Sequence, residues 1–320
     1  MNVLGIETSC DETAAALVVD GVEACSNVIA TSLEEHQRFG GIIPEIASRR
    51  QIELIQWVVG ESLSRANIKL ADVDCIAVTA KPGLLGSLLV GLCFARALAR
   101  ATNKPLIEID HIHAHLYANY VRLPGKESCP LNRLPAVGLV VSGGHSSLYY
   151  MKDFNNFKLL GSTRDDAAGE AFDKVARMLD LGYPGGPVID RLAKQGGNDE
   201  IRFPQALLKG SYDFSFSGLK TAVLYYTQAH QKDKDFSVAK IAYAFQESVV
   251  DVLVEKSLQA CHAMKSKTLL VGGGVAANSV LRSRLTQKGK EAGIDVFFPP
   301  MALCLDNAAM IAGLGFHHTL

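Results

Sequence analysis

The stretch VLGIETSCDETAAALVV, residues 3–19, decides the fold class, because two apolar runs flank a short turn of small and acidic residues. This pattern predicts a β-hairpin whose turn is built to approach a ligand closely. The stretch AVGLVVSGGHSSLYYM, residues 136–151, has the same order of strand, glycine-rich turn and strand. The sequence therefore predicts a duplicated fold, although the two halves share a pattern rather than residue identity.

Helical and strand patterns alternate after each hairpin, which is typical of α/β domains that contain parallel strands. The predicted elements are a strand at 71–80, a helix at 83–102, a strand at 104–110, a helix at 111–121, helices at 168–181, 188–196 and 237–264, a strand at 267–273 and a helix that opens near 276.

These elements predict two similar α/β domains, residues 1–128 and 129–320, that face each other across a ligand cleft. We expect the last helix to pack back toward that cleft. The segment 123–135 contains three prolines and is the predicted link between the domains.

Composition narrows the class of protein. The net charge is −1, which argues against nucleic-acid binding through an overall positive charge. The seven cysteines are scattered and never spaced as CxxC, a pattern that indicates a reducing compartment and no thiolate zinc site. The N-terminus lacks the pattern of a signal peptide, and the apolar run at 83–99 includes Arg96, so we expect a cytoplasmic protein without a membrane span.

The segment HIHAH, residues 111–115, holds candidate metal ligands. In a helix His111 and His115 stand one turn apart and share a face, whereas His113 points elsewhere. A metal site needs at least one more donor. Asp306, ahead of an apolar helix, could complete a set of two histidines and one carboxylate, or it could serve only as a helix cap. Spacing alone leaves both roles open.

Three turns predict a nucleotide site. ETSCDET, VSGGHSS and VGGGVAAN each follow a strand, and backbone N–H groups in such turns can hold phosphate oxygens. We expect Asn278 in the first turn of the helix that follows VGGGVAAN, where its amide is a candidate contact to a base or ribose. Asp11 and Glu12 could act with a metal or in proton transfer, or could simply favour the bend. Asp173 could accept a hydrogen bond from a hydroxyl of the ligand, and Asp190 has a weaker claim to the same role.

Nine motifs taken together resemble one family, the tRNA N6-adenosine threonylcarbamoyltransferases (TsaD), in its bacterial branch. The motifs are GIETSCDET (5–13), GGIIPEIASR (40–49), HIHAH (111–115), VSGGHS (141–146), DDAAGEAFDK (165–174), YPGGP (183–187), FSFSGLKT (214–221), GGGVAAN (272–278) and DNAAMIA (306–312).

The resemblance implies the actin-like ATPase fold and a metal-dependent acyltransferase. The reaction would move the threonylcarbamoyl group from L-threonylcarbamoyladenylate to N6 of adenosine 37, beside the anticodon, in tRNAs that read codons beginning with adenine, and would release AMP. The resemblance also implies tRNA as substrate, and a paralogous partner, TsaB, and an ATPase, TsaE, as bacterial partners.

The family's functional positions can be carried onto matching residues of this chain. The resemblance implies a divalent metal, with Fe²⁺ favoured and Zn²⁺ or Mn²⁺ as alternatives, on His111, His115 and Asp306. It implies a role in catalysis for Asp11 and Glu12. The implied contacts to ATP or threonylcarbamoyl-AMP are Val140, Val141, Ser142, Gly143, Gly144, Asp173, Gly186, Asp190 and Asn278.

The chain departs from the family pattern at three positions. His113 stands where a Glu is common between the metal histidines, Lys81 replaces a small residue, and Gln51 replaces a His.

The alternatives are an actin-like small-molecule kinase, a scaffold paralogue and a metalloendopeptidase. A kinase site would hold Mg²⁺ with carboxylates and needs no histidine pair, and a scaffold could dispense with the metal ligands. A peptidase of the HExxH class would need a Glu at Ile112.

Overall fold

The computed structural model describes residues 1–197, 201–206, 208 and 210–319. The chain forms two compact units, which we call unit 1 (1–133, 152–157 and 299–320) and unit 2 (134–151 and 158–298). The chain passes between the units four times, whereas the predicted boundary at residue 128 has a single crossing.

Ten strands are described, numbered in chain order. They are β1 (Asn2–Glu7), β2 (Glu12–Val19), β3 (Glu23–Thr31), β4 (Cys75–Lys81), β5 (Leu106–Asp110), β6 (Ala136–Val141), β7 (Ser146–Asp153), β8 (Asn156–Ser162), β9 (Thr268–Gly272) and β10 (Asp295–Phe297).

Ten α-helices are described in the same residues. They are α1 (Leu33–Gln37), α2 (Pro44–Ala66), α3 (Leu85–Thr102), α4 (His111–Tyr117), α5 (Ala168–Met178), α6 (Gly185–Gly196), α7 (Ser217–His230), α8 (Val238–Ala263), α9 (Ser279–Glu291) and α10 (Ala308–His317).

The sheet of unit 1 has the order β3-β2-β1-β4-β5. β1 pairs antiparallel with β2 and parallel with β4, which in turn pairs parallel with β5. Helices α2 and α3 pack with the sheet, and α10 also packs directly on β1, β2 and β4. Because both faces are covered, β1 is a nearly continuous apolar run and Val3, Leu4 and Ile6 are fully buried.

The close approach of α10 depends on Gly5 in the middle of β1. A Cβ atom at this position would lie 2.3 Å from the carbonyl oxygen of Ala308, so no larger residue fits under the helix. The start of α10 is thereby fixed beside the end of β1, which is the end that carries the polar turn after Glu7.

The sheet of unit 2 has the order β10-β9-β6-β7-β8, which repeats the arrangement of unit 1 with β6 in the place of β1. β6 pairs antiparallel with β7 and parallel with β9, and β9 pairs parallel with β10. The predicted duplication and the predicted α/β class are confirmed. Because parallel strands end at the same edge, the turns after β6 and β9 meet there.

Helix α3 corresponds to the helix predicted at 83–102 and contains most of the apolar run at 83–99. By length and composition it is the one helix within the described ranges that could cross a membrane, and 28% of it is buried. Ser87, Gly91 and Ala95 form its buried face, and the helix packs with α2 and β4. Leu85 and Leu89 remain exposed, so the helix covers the sheet and is not buried on all sides.

Candidate functional site

The metal ligands predicted from sequence come together in unit 1. Asp110 caps α4 by accepting hydrogen bonds from the backbone N–H groups of Ile112 and His113, which fixes the helix start at His111. His111 and His115 then lie one turn apart on its buried face, with ring centroids 4.6 Å apart. Asp306 Oδ1 lies 3.5 Å from His111 Nε2 and 3.2 Å from His115 Nε2.

Asp306 faces the histidines and does not cap α10. The cap is Asn307, whose side-chain oxygen accepts a hydrogen bond from the backbone N–H of Met310. Of the two roles that the sequence left open for Asp306, the helix cap is therefore excluded.

The donor set fits a divalent metal ion. One ligand atom from each of His111, His115 and Asp306 lies within 4.8 Å of the others. Ligands held about 2.1 Å from a tetrahedral ion are separated by roughly 3.4 Å, close to the separations from Asp306. In addition, Nδ1 of the buried His115 has no hydrogen-bond partner within the part of the chain that the structure describes, and Nε2 has only its 3.2 Å contact with Asp306. A buried imidazole in this condition is costly unless a ligand uses it.

The electrostatics of the cluster also favour a cation. Burial disfavours the charged form of His111, but Glu7 and Asp306 raise its pKa to about 9. Burial, followed by the positive charge of His111, lowers the pKa of His115. Burial raises the pKa of Glu12 well above its usual range, and the carboxylates of Asp306 and Asp11 raise it further. Asp11 and Glu12 therefore belong to the same negative region as the cluster.

The turn that carries Asp11 and Glu12 is held by side chains from α2 and α3. The fully buried Gln51 donates through Nε2 to the carbonyl oxygens of Cys10 (2.9 Å) and Glu12 (3.1 Å). Ser87 Oγ donates to the same carbonyl of Cys10. Gln51, identified from the sequence only as a departure from the family pattern, thus fixes the backbone of the candidate catalytic turn.

His113 does not join the cluster. Its ring stacks on Phe157 with 4.0 Å between centroids and 6° between planes. Burial lowers its pKa. The structure therefore places His113 on the other side of α4, as the helical spacing predicted, and in contact with the start of β8.

The predicted phosphate-binding turns lie at one edge of the sheet in unit 2. Val140 and Val141 end β6, and the backbone N–H of Ser142 donates to the carbonyl oxygen of His145, closing the turn. Gly273 follows β9 with a φ of +92°, and a Cβ atom there would lie 2.3 Å from the carbonyl oxygen of Val141. The glycine-rich ends of β6 and β9 are therefore packed side by side.

Gly143, Gly144 and Gly186 differ from Gly273 because packing does not require a glycine at these positions. A Cβ atom added at any of the three would meet no other atom within 4 Å. Space is therefore available beside the turn after β6 and at the start of α6, where backbone N–H groups can approach an anion.

Three further predicted site residues of unit 2 make contacts within the protein. Asp173 Oδ1 accepts a hydrogen bond from the N–H of Gly185 (2.7 Å), and burial raises its pKa. Asp190 accepts a hydrogen bond from Ser279 Oγ (2.8 Å). Asn278 caps α9 through its side-chain oxygen and donates to Gln246. Asn278 is thus the residue before the helix rather than in its first turn, and its contact with a base or ribose stays a prediction.

The motifs DDAAGEAFDK and FSFSGLKT are joined by hydrogen bonds and ion pairs from Asp165 and Asp166, two residues to which the sequence assigned no role. Asp165 accepts hydrogen bonds from the N–H groups of Phe216 and Ser217, which caps α7. Asp166 pairs with both Lys174 and Lys220 at 2.8 Å. The motifs DDAAGEAFDK and FSFSGLKT therefore join α5 to α7.

Comparison with known proteins identifies the family. A model of the TsaD family, tRNA N6-adenosine threonylcarbamoyltransferase, matches residues 23–313. The chain belongs to this family. Proteins of the same name from Clostridium botulinum strain Hall and Moorella thermoacetica are each 51% identical to it. The alignments cover 99% and 100% of this chain and 92% of each relative.

Solved structures agree on the fold. Component A of (R)-2-hydroxyglutaryl-CoA dehydratase from Acidaminococcus fermentans has a TM-score of 0.57 at 15% identity, covering 99% of this chain and 98% of that one. HypF from T. kodakarensis has a TM-score of 0.63 at 14% identity, covering 99% and 48%. These neighbours have the actin-like ATPase fold, so the predicted fold is confirmed. The family model and the curated relatives confirm the predicted family and enzyme class.

Proposed function

We propose that this chain transfers the threonylcarbamoyl group of L-threonylcarbamoyladenylate to N6 of adenosine 37 in tRNAs that read codons beginning with adenine. The observation that carries the proposal is the His111–His115–Asp306 cluster in a member of the TsaD family. In this reaction N6 attacks the carbamoyl carbon, the bond from that carbon to the phosphate oxygen breaks, and AMP leaves with the electron pair.

His111, His115 and Asp306 would hold one divalent ion, for which we propose Fe²⁺ ahead of Zn²⁺ or Mn²⁺. When bound, the ion would supply a positive charge that polarises a carbonyl or phosphate oxygen or holds the substrate in place. The negative region formed by Asp306, Asp11 and Glu12 supports a cation there, because three carboxylates lie close together in buried or partly buried surroundings.

The turns of unit 2 would bind the nucleotide. The free space at Gly143, Gly144 and Gly186 supports close approach of a phosphate to backbone N–H groups. Val140, Val141 and Ser142 set the position of that turn, and Asp173, Asp190 and Asn278 remain candidates for the rest of the adenylate.

Asp11 or Glu12 would accept the proton that leaves N6 during attack. The raised pKa of Glu12 supports this role, because a carboxylate with a raised pKa is a stronger base than an exposed one. Its position in a turn held by Gln51 and Ser87 supports a fixed geometry for proton transfer.

The proposal includes tRNA as substrate, TsaB and TsaE as partners, and a cytoplasmic protein. The exposed apolar side chains of Ile52 on α2 and of Leu85 and Leu89 on α3, two helices that pack together, support a protein partner on unit 1.

The test is formation of the modified nucleoside from threonine, bicarbonate, ATP and unmodified tRNA, with the partner enzymes present. We expect product with the wild type and at least a 100-fold loss with Asp306→Ala, together with loss of bound metal. The matched control is Asn307→Ala, which removes the cap of α10 at a cost of about 1 kcal/mol of folding stability and should keep the metal and most activity.

Absence of product with the wild type, in a mixture where a characterised relative works, would contradict the proposed function. Equal activity of Asp306→Ala and the wild type would instead remove the metal site from the mechanism. ATP consumption with a small molecule and without tRNA would favour the kinase alternative.

A further inference from the structure

Glu7 is a buried carboxylate for which the proposed reaction has no role. It ends β1, is fully buried, and lies at the edge of the sheet where β4 and β5 also end. Its Oε1 accepts the backbone N–H of Ser9, while its Oε2 accepts from the hydroxyl of Thr79. Oε2 also lies 3.0 Å from His111 Nδ1. The carboxylate therefore connects β1, β4 and the first residue of α4.

This contact decides which nitrogen of His111 faces the cluster. A neutral imidazole carries one proton, and a carboxylate can only accept it, so the hydrogen bond with Glu7 places the proton on Nδ1. The lone pair is then on Nε2, the nitrogen 3.5 Å from Asp306 Oδ1. Ser9 Oγ also lies 3.3 Å from Nδ1, but a hydroxyl can donate or accept and does not fix the tautomer.

We propose that Glu7 is a positioning residue for the metal site, because its hydrogen bond holds His111 in the tautomer and ring orientation that present Nε2 to the ion. This inference rests on the metal site of the proposed function and not on the transfer reaction. It also distinguishes the two histidines, since His115 Nδ1 has no hydrogen-bond partner in the described ranges. Partners of this kind typically change metal affinity by about 10-fold to 100-fold.

The decisive variant is Glu7→Gln, which keeps the size of the side chain. Its amide oxygen can still accept the N–H of Ser9, but its NH₂ group replaces Oε2 and donates to His111 Nδ1. The proton of a neutral His111 must then lie on Nε2, where it blocks the metal. We expect the affinity for Zn²⁺, measured by calorimetry on the purified full chain without substrate, to fall about 10-fold to 100-fold.

The matched control is Thr79→Val, which removes the other side-chain donor to Oε2 and leaves the contact with His111. We expect this variant to lose stability to urea but to bind Zn²⁺ within about three-fold of the wild type. Glu7→Asp, which keeps the acceptor on a shorter side chain, should recover part of the affinity lost in Glu7→Gln.

Wild-type affinity in a folded Glu7→Gln variant would overturn the proposal. If that variant does not fold, ¹⁵N NMR of the wild type with Zn²⁺ decides: a proton on His111 Nδ1 and the metal on Nε2 is expected, and ligation through Nδ1 would overturn it. Failure of the wild type to bind Zn²⁺, Fe²⁺ or Mn²⁺ would overturn the metal site itself. Equal binding by the wild type and Glu7→Gln would overturn only the positioning role of Glu7.

Discussion

The turn between β1 and β2 and the turn between β6 and β7 occupy the same place in the two duplicated sheets, but they are built differently. The first is closed by buried polar side chains, since Gln51 and Ser87 donate to its carbonyl groups. The second is open, since nothing lies within 4 Å of a Cβ atom at Gly143 or Gly144. The two sheets therefore share one topology, whereas these two turns differ in their side chains and in the space beside them.

The two turns also differ in charge. The first carries Asp11 and Glu12 and lies near Asp306, so it repels a phosphate unless a cation is present. The second turn, residues 142–145, contains two glycines and no carboxylate, and an anion can approach its backbone N–H groups. This difference supports the cation site that we propose in unit 1 and the phosphate site that we propose in unit 2.

The largest effect is expected from Gly144→Val in the open turn between β6 and β7. The side chain has room within the protein, so we expect the midpoint of thermal unfolding to stay within about 2 °C of the wild type. It would fill the space proposed for the phosphate, and we expect the affinity for ATP or a stable adenylate analogue to fall at least 10-fold, measured by calorimetry. Metal binding in unit 1 should not change.

Gly169→Ala is the contrasting control, because here the glycine is required by packing. Its Cβ atom would lie 2.5 Å from the carbonyl oxygen of Ser142. We expect a loss of about 1–3 kcal/mol of stability from this clash. A Gly144→Val variant that binds nucleotide normally would show that the open turn is not the phosphate site.

A smaller effect is expected from Gln51→Leu, which removes a hydrogen-bond donor from the turn between β1 and β2. It removes the Nε2 donor from the carbonyl groups of Cys10 and Glu12, of which Cys10 keeps the donor Ser87 Oγ, and we expect a loss of about 1–3 kcal/mol of unfolding free energy, measured in urea. Because Glu12 would no longer be held in place, we also expect kcat for transfer to fall several-fold with little change in KM for the adenylate.

Gln51→His, which restores the residue usual in the family, is the comparison variant. It should retain activity if one ring nitrogen reaches either carbonyl. Unchanged kcat in Gln51→Leu would show that the backbone of this turn does not need Gln51 for catalysis.

The sequence predicted the features that depend on neighbouring residues. Both hairpins are confirmed, and so is the helical pairing of His111 with His115, because the spacing of two residues one turn apart determines their shared face. Glu7 was part of the opening stretch, but a single carboxylate at a strand end carries no signal until the fold brings His111 beside it.

Long-range partners could not be derived from spacing. Asp306 was assigned to the metal pair only by resemblance, since nearly two hundred residues separate it from His115, and its neighbour Asn307 proved to be the helix cap. Helix α2 was not predicted, although the whole support of the first turn by Gln51 depends on it. Its buried face has helical spacing, but Gln51 and Ser62 on that face are polar. Ile52 and Trp57, by contrast, are apolar and exposed, so the apolar residues do not mark the buried face.

The turn between β2 and β3 and the turn between β7 and β8 both contribute to one aromatic cluster in unit 1. The tip of β2–β3 contributes Gly21, whose carbonyl oxygen accepts from Tyr117 OH (3.0 Å). The tip of β7–β8 contributes Phe154, which stacks on His317 with 4.1 Å between centroids. Tyr117 OH and His317 Nε2 are 2.8 Å apart and join the two tips.

This cluster predicts the smallest effect, a pH dependence of stability from His317. Burial, with a contribution from His318, lowers the pKa of His317 to about 4, below its ordinary value of 6.5. As the pH falls, the unfolded chain therefore binds a proton on His317 at a higher pH than the folded chain does. The stability that the neutral ring contributes is complete above pH 6.5 and is lost as the pH falls toward 4. Because the ring is only half-buried, solvent screens it, and we expect only about 1 kcal/mol of unfolding free energy to depend on its protonation. Urea unfolding of His317→Gln between pH 7 and 4.5 should show a correspondingly smaller acid loss, and a slope equal to that of the wild type would contradict it.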